Sequence, residues 1–119
     1  TFTNMKGIPN KILKHIENLN TSDAFKDLTK IMGFSDKEAS QILNIKIFDD
    51  VIFRSHSVVP NAIAGSISFD DGKWISIVGG GNGLYGDGNT TFEVLTSEID
   101  NPLTYLKKDE VNQVIVSLQ

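Results

Sequence analysis

Apolar positions recur at helical spacing up to about residue 44 and at a period of two beyond it, and this change divides the chain. In 8–20, Ile8, Ile12, Leu13, Ile16 and Leu19 fall on one helical face, with Pro9 tolerated in the first turn. Thr21 or Ser22 can cap a second helix running through Met32, with Phe25, Leu28, Ile31 and Met32 on its apolar side. Gly33 then occupies the position just past a helix end, where a left-handed backbone is needed. Ser35 and Glu38 have the spacing of a capping box and open a third helix to about Asn44 that buries Ala39, Ile42 and Leu43.

Beyond that point Ile45 and Ile47, and then Val51, Ile52 and Phe53, predict one or two short strands interrupted by Asp49 and Asp50. Residues 57–59 extend this pattern to a turn at Pro60 and Asn61. Ile63, Ile67 and Phe69 share a face of the next strand. Asp71-Gly72 is a hairpin signal, and 74–78 returns as its partner. Residues 91–95 form a further strand, and Asn101-Pro102 is expected to end the sheet. Val111, Val114, Ile115 and Leu118 sit at i, i+3, i+4 and i+7 of a final helix over 109–118. The expectation is one α+β domain over 1–119. Three short helices occupy 8–44, and an antiparallel sheet of about four strands with a C-terminal helix occupies 45–119.

Composition narrows the function classes. The chain has 119 residues, 39% of them hydrophobic and 22% charged, as in ordinary globular domains. It shows no apolar run long enough to span a membrane and no signal-peptide pattern, so a cytoplasmic setting is expected. It opens on Thr1, which reads as a processed or trimmed start, and Met5 is a candidate native start. The absence of cysteine removes disulfides, thiolate nucleophiles and zinc–thiolate sites. Net charge is −4, with ten lysines and the single arginine Arg54. Six lysines against five acids leave residues 1–44 at +1, whereas five basic against ten acidic residues leave 45–119 at −5. Direct nucleic-acid binding by the second half is therefore disfavoured, and a basic or nucleic-acid-binding protein suits it better as a partner.

The most unusual stretch is 79–89, where six of eleven residues are glycine. Gly81, Gly83 and Gly86 match G-x-G-x-x-G. A dinucleotide site needs that motif between a strand and a helix, however, and here a strand follows. The bland reading is a hairpin connection built on positive-φ glycines. The functional reading is a partner- or ligand-binding loop of Gly81, Asn82, Gly83, Leu84, Tyr85, Gly86 and Asp87, with Tyr85 as aromatic and Asp87 as polar contact. Asp87-Gly88-Asn89 and Asp70-Asp71-Gly72 have partial calcium-loop spacing without the closing glutamate, so turn chemistry accounts for both. Arg54, Ser55, His56 and Ser57 cluster a cation, a base and hydroxyls, and Asp49 or Asp50 could orient His56 for nuclease or acyl-transfer chemistry. His15 falls on the polar side of the first helix, where solvation is expected. Pairs among Asp70, Asp71, Asp87, Glu93 and Glu98 could serve glycosidic chemistry, but any acidic domain offers such pairs. No metal, cofactor or catalytic residue is expected.

Two resemblances add context. Met32-Gly33-Phe34, with Ser35 to Ala39 after it, resembles the MGF loop of ubiquitin-associated three-helix domains, which contacts a partner's apolar patch. The match covers 25–43, and a C-capping glycine followed by a capping box explains the same residues. The FDDG of 69–72, the GLYGDG of 83–88, the TFEV of 91–94 and the DNPLT of 100–104 resemble a group of short, uncharacterised bacteriophage and prophage proteins. Members carry a G-L-Y-G stretch, a T-F-E-V-A strand and Y-D-T-P-I-T before a final helix. Here Asp100-Asn101-Pro102 stands where that family has Asp-Thr-Pro, and the resemblance covers 69–114. It implies a phage-encoded accessory protein inside a bacterial host and assigns no activity. The leading expectation is thus a small acidic protein that binds, and inhibits, a host or defence-system protein. A nucleotide-binding protein using the glycine loop and a small toxin-type nuclease are the alternatives.

Overall fold

The computed structural model describes residues 9–119; Ile8, Met5 and Thr1 lie outside the described residues. The α+β class holds, with four α-helices and a five-stranded antiparallel sheet among the described residues. Helix α1 is Asn10–Glu17, α2 is Thr21–Lys26, α3 is Asp36–Leu43 and α4 is Lys108–Ser117. The strands are β1 Arg54–Ser55, β2 Ala62–Ser68, β3 Trp74–Gly80, β4 Thr91–Thr96 and β5 Leu103–Lys107, paired in that order.

The first three helices have six to eight residues, too few to be stable alone. What holds them is one small core of Leu13, Ile16, Ala24, Leu28, Ala39, Ile42 and Leu43, with Met32 and Phe34 packed on its side. Their ends follow local chemistry. The cap of α2 is Asn20, one residue before the expected Thr21 or Ser22, and its side chain accepts from the Asp23 N–H at 2.8 Å. At α3, Ser35 Oγ accepts from the Glu38 N–H and the Glu38 carboxylate from the Ser35 N–H, completing the capping box. Gly33 has φ 79°, as its place after a helix requires.

The second helix departs from the expected run to Met32. After Lys26 the chain widens into a π-helical turn, Asp27–Ile31, in which the Met32 N–H reaches Asp27 O. Thr29 Oγ1 donates to Phe25 O at 2.8 Å, the kind of back-bonding that bends a helix. Widening turns Leu28 fully inward and leaves Ile31 exposed. His15 is exposed, as expected, and also meets Asp27 at 3.1 Å across this turn.

The strands expected at 45–53 do not form. Lys46 N–H donates to Gln119 Oε1 and Lys46 O accepts from Gln119 Nε2, both at 2.7 Å, while the Phe48 N–H donates to Asn112 Oδ1 at 2.8 Å. Asn112 of α4 and Gln119 just past its end therefore take the backbone groups that a neighbouring strand would have taken. A 3-10 turn, Phe48–Asp50, follows; of the apolar residues read as strand alternation Ile47 is buried, Ile45, Val51 and Phe53 are half-buried, and Ile52 is exposed. Phe48, Phe53 and Phe92 pack with ring centroids 5.4 to 5.9 Å apart. A Cβ on Gly65 would stand 2.5 Å from a Val51 methyl, so this glycine lets 51–53 lie directly on β2.

Asn101-Pro102 does not end the sheet. Strand β5 pairs with β4, Thr91 opposite Lys107 and Phe92 opposite Leu106, with a register irregularity between Phe92 and Val94. The Asp71-Gly72 hairpin forms as expected, with Gly72 at φ 89° and Lys73 N–H on Asp71 Oδ1. One sheet face carries Ile75, Ile77, Phe92 and Val94 against Val111 and Ile115 of α4 and Leu118 at its C-terminal cap. Burying these side chains stabilises by about 1.5–3 kcal/mol each. The helical core and the sheet core are separate clusters set end to end. The molecule is correspondingly long, 50 × 26 × 19 Å, with a radius of gyration of 15.7 Å. A compact chain of this length would have about 13.5 Å.

Candidate functional site

The alternation that buries Phe92, Val94 and Thr96 of β4 sends Thr91, Glu93 and Leu95 to the opposite face, beside Ser76 and Val78 of β3 and Ala64 and Ser66 of β2. No helix among those described packs on that outer face. Its aromatic residues stand at the ends: Trp74, 38% exposed, at one, and Tyr85 and Tyr105, 55% and 60% exposed, at the other.

The glycine-rich connection crosses β4 at the second of these ends. On one side the Gly80 N–H donates to Gly86 O at 2.9 Å; on the other, the Tyr105 N–H of β5 donates to Tyr85 O at 3.0 Å. Between these ties, Gly86 lies on the backbone of Phe92, where a Cβ would be 2.7–2.8 Å from three backbone atoms. Gly79 and Gly88 meet in the same way, with Gly88 Cα 2.5 Å from where a Gly79 Cβ would stand. Gly83 at the apex has φ 94° and open space around it, so there conformation alone selects glycine. The connection joins strand to strand, which removes the helix N-terminus that a G-x-G-x-x-G phosphate site requires.

Asp87, expected as a polar contact, is committed to the loop itself. Its carboxylate accepts from the N–H groups of Asn89, Thr90 and Thr91 and from Thr90 Oγ1, and its own N–H donates to Thr91 Oγ1. These donors, the Thr90 hydroxyl foremost, hold the carboxyl well below its ordinary range, so it is ionised throughout the neutral region. Asn82 and Tyr85 are exposed and Leu84 is half-buried, so Tyr85 is the large side chain that the loop leaves outward. Its backbone N–H donates to Glu93 Oε1 at 3.0 Å, which brings the Glu93 carboxylate to the foot of the loop. The ring meets Tyr105 edge to face, with centroids 6.0 Å apart and planes at 69°. Tyr105 has φ 55°, a left-handed conformation costly for a residue with a side chain. Sequence reasoning missed Tyr105, Glu93 as part of this group, and Trp74, because none lies in the glycine run. The one sequence signal for the pairing was that 83–86 and 104–105 each place a tyrosine beside a turn.

The other candidates separate. His56 Nδ1 accepts from the N–H groups of Val58 and Val59, both at 3.0 Å, so the imidazole closes a turn. Asp50 accepts from the Ile47 N–H, and Asp49 pairs with Lys108 at 3.1 Å; neither orients His56. Asp71 and Glu98 share Lys73 at the Trp74 end of the sheet, whereas Asp87 and Glu93 stand at the glycine end. Among the described residues no group of three His, Cys, Asp or Glu side chains is placed to hold a metal, and no helix is long and apolar enough to cross a membrane.

Comparison with protein-family models, curated proteins and solved structures returned no match.

Proposed function

We propose that this chain is a small acidic binding protein, without enzymatic chemistry of its own, that docks a host or defence-system protein and inhibits it. The observation that carries this reading is the outer sheet face, which no helix among those described covers and which ends in two exposed tyrosines, Tyr85 on a connection pinned at both sides and Tyr105 on β5. Tyrosines on a rigid backbone bring large contact area at low conformational cost, which is what protein interfaces select. The setting, a phage or prophage accessory protein acting in the cytoplasm of a bacterial host, comes from the resemblance at 69–114.

The nucleotide reading has less support. The N–H groups of Tyr85 and of Asp87 to Thr91 are already donated within the loop or to β4, which takes the second half of the connection out of any phosphate cradle. The nuclease reading lacks a group to orient His56.

Affinity capture from bacterial lysate, comparing wild type with Tyr85→Ala/Tyr105→Ala, tests the proposal. A protein retained by wild type and lost with the variant is the expected result. Equal retention by both, or none by wild type, overturns it. Asp87 is left unchanged because its removal would unfold the turn.

A further inference from the structure

We infer that the Tyr85–Tyr105 pair and the Glu93 carboxylate form a receptor for an arginine side chain of the protein partner; this rests on the binding function proposed above. Arginine is the cation that joins two kinds of contact: its planar guanidinium stacks on an aromatic face and its N–H fork engages a carboxylate. Both surfaces are present within one loop and two strands. Tyr85 and Tyr105 are each more than half exposed, and in their edge-to-face contact the edge of one ring meets a single face of the other. The Glu93 carboxylate is held at the Tyr85 backbone by a 3.0 Å hydrogen bond. Among the described residues neither Glu93 nor Asp87 has a lysine or arginine within ion-pair distance, whereas Asp49, Asp71 and Glu98 each do. Lys107, on β5 opposite Thr91, is the neighbouring cation, and it leaves the two carboxylates in excess.

Backbone geometry supports a preset receptor. Tyr105 is held at φ 55° by the hydrogen bond of its N–H to Tyr85 O, an arrangement that costs conformational energy while fixing the two rings against each other. The second half of the chain, at −5, adds long-range attraction for a basic surface.

Titration of the isotopically labelled protein with a short capped peptide of alternating arginine and glycine, followed by amide chemical shifts, tests this. Peptides with lysine or uncharged citrulline in place of arginine are the comparisons. Shifts centred on Tyr85, Glu93 and Tyr105, and affinity falling from arginine to lysine to citrulline, are expected. Tyr85→Ala and Glu93→Gln should each weaken arginine-peptide binding about tenfold. Asp70→Asn/Asp71→Asn removes more charge at the far end of the sheet and should leave binding within about twofold at moderate salt. Tyr105→Gly, which relieves the left-handed backbone while deleting the ring, guards against loss by misfolding and should also weaken binding. Shifts centred on the Asp70 end, losses that track net charge alone, or equal affinity for the citrulline peptide overturn the inference. If the arginine peptide fails while the lysate partner is still lost with Tyr85→Ala/Tyr105→Ala, the interface stands and the arginine chemistry falls. If both fail, both proposals fall.

Discussion

Replacing Gly86 by alanine separates a pinned glycine connection from a slack one. A slack loop tolerates the methyl, since no positive φ is needed at this position. In the structure the added Cβ would stand 2.7 Å from Phe92 Cα and 2.8 Å from Phe92 N and C. Such distances are about an ångström inside an ordinary carbon contact, and the neighbour is β4 backbone, which cannot rotate away. The loop must lift, which breaks Gly80 N–H to Gly86 O and Tyr105 N–H to Tyr85 O. Overpacking of this kind costs about 1–3 kcal/mol, and each of the two lost hydrogen bonds about 1 kcal/mol, so a total of at least about 3 kcal/mol is expected. For a chain of this length that lowers Tm by about 12 °C. Gly83→Ala is the internal control, with open space but φ 94°, and should cost only about 1 kcal/mol. Differential scanning calorimetry measures both, and hydrogen exchange at the Tyr105 amide reports whether the loop has lifted. A Gly86→Ala protein melting within about 3 °C of wild type, or below Gly83→Ala in cost, would refute the pinned connection.

Two further outcomes are expected. Asn112→Ala leaves the Phe48 N–H, otherwise bonded to Asn112 Oδ1 at 2.8 Å, without its partner, because Asn112 is only 6% exposed. Urea unfolding should show a loss of about 1–3 kcal/mol, and an unchanged midpoint would mean that water replaces the amide. The Asp87 carboxyl is depressed in the folded state by the Thr90 hydroxyl and three backbone N–H groups, so its contribution is fully present above its ordinary pKa of 3.8 and fades as pH falls below that value. Thermal melts should show a smaller acid-side fall for Asp87→Asn than for wild type; parallel curves would remove Asp87 from the acid response.

What the sequence determined by itself was whatever a few neighbouring residues decide among themselves. The Ser35–Glu38 capping box, Gly33 after the helical segment, the Asp71-Gly72 hairpin and the Val111–Leu118 periodicity act within one or two turns of chain, and all four formed. The alternation of β3 and β4 was legible because one face of each is buried and the other is not, whereas in β2 the expected Ile63 and Ile67 are half-buried and the buried residues are Ala62 and Gly65. Strand β5 was not, since almost all of it is exposed at the sheet edge and no burial pattern marks it. The segment 45–53 had the strand period, yet the side-chain amides of Gln119 and Asn112, more than sixty residues away, took its backbone groups. The glycine run announced an unusual connection, but the residues that give its surface chemistry came from elsewhere. Glu93 reached it through a hydrogen bond to the Tyr85 amide, and Tyr105 through a bond to the Tyr85 carbonyl. Local signals fix caps, turns and periods because both partners sit in the same short stretch. Partners distant in the chain are chosen only when the two cores close, and that choice made this surface.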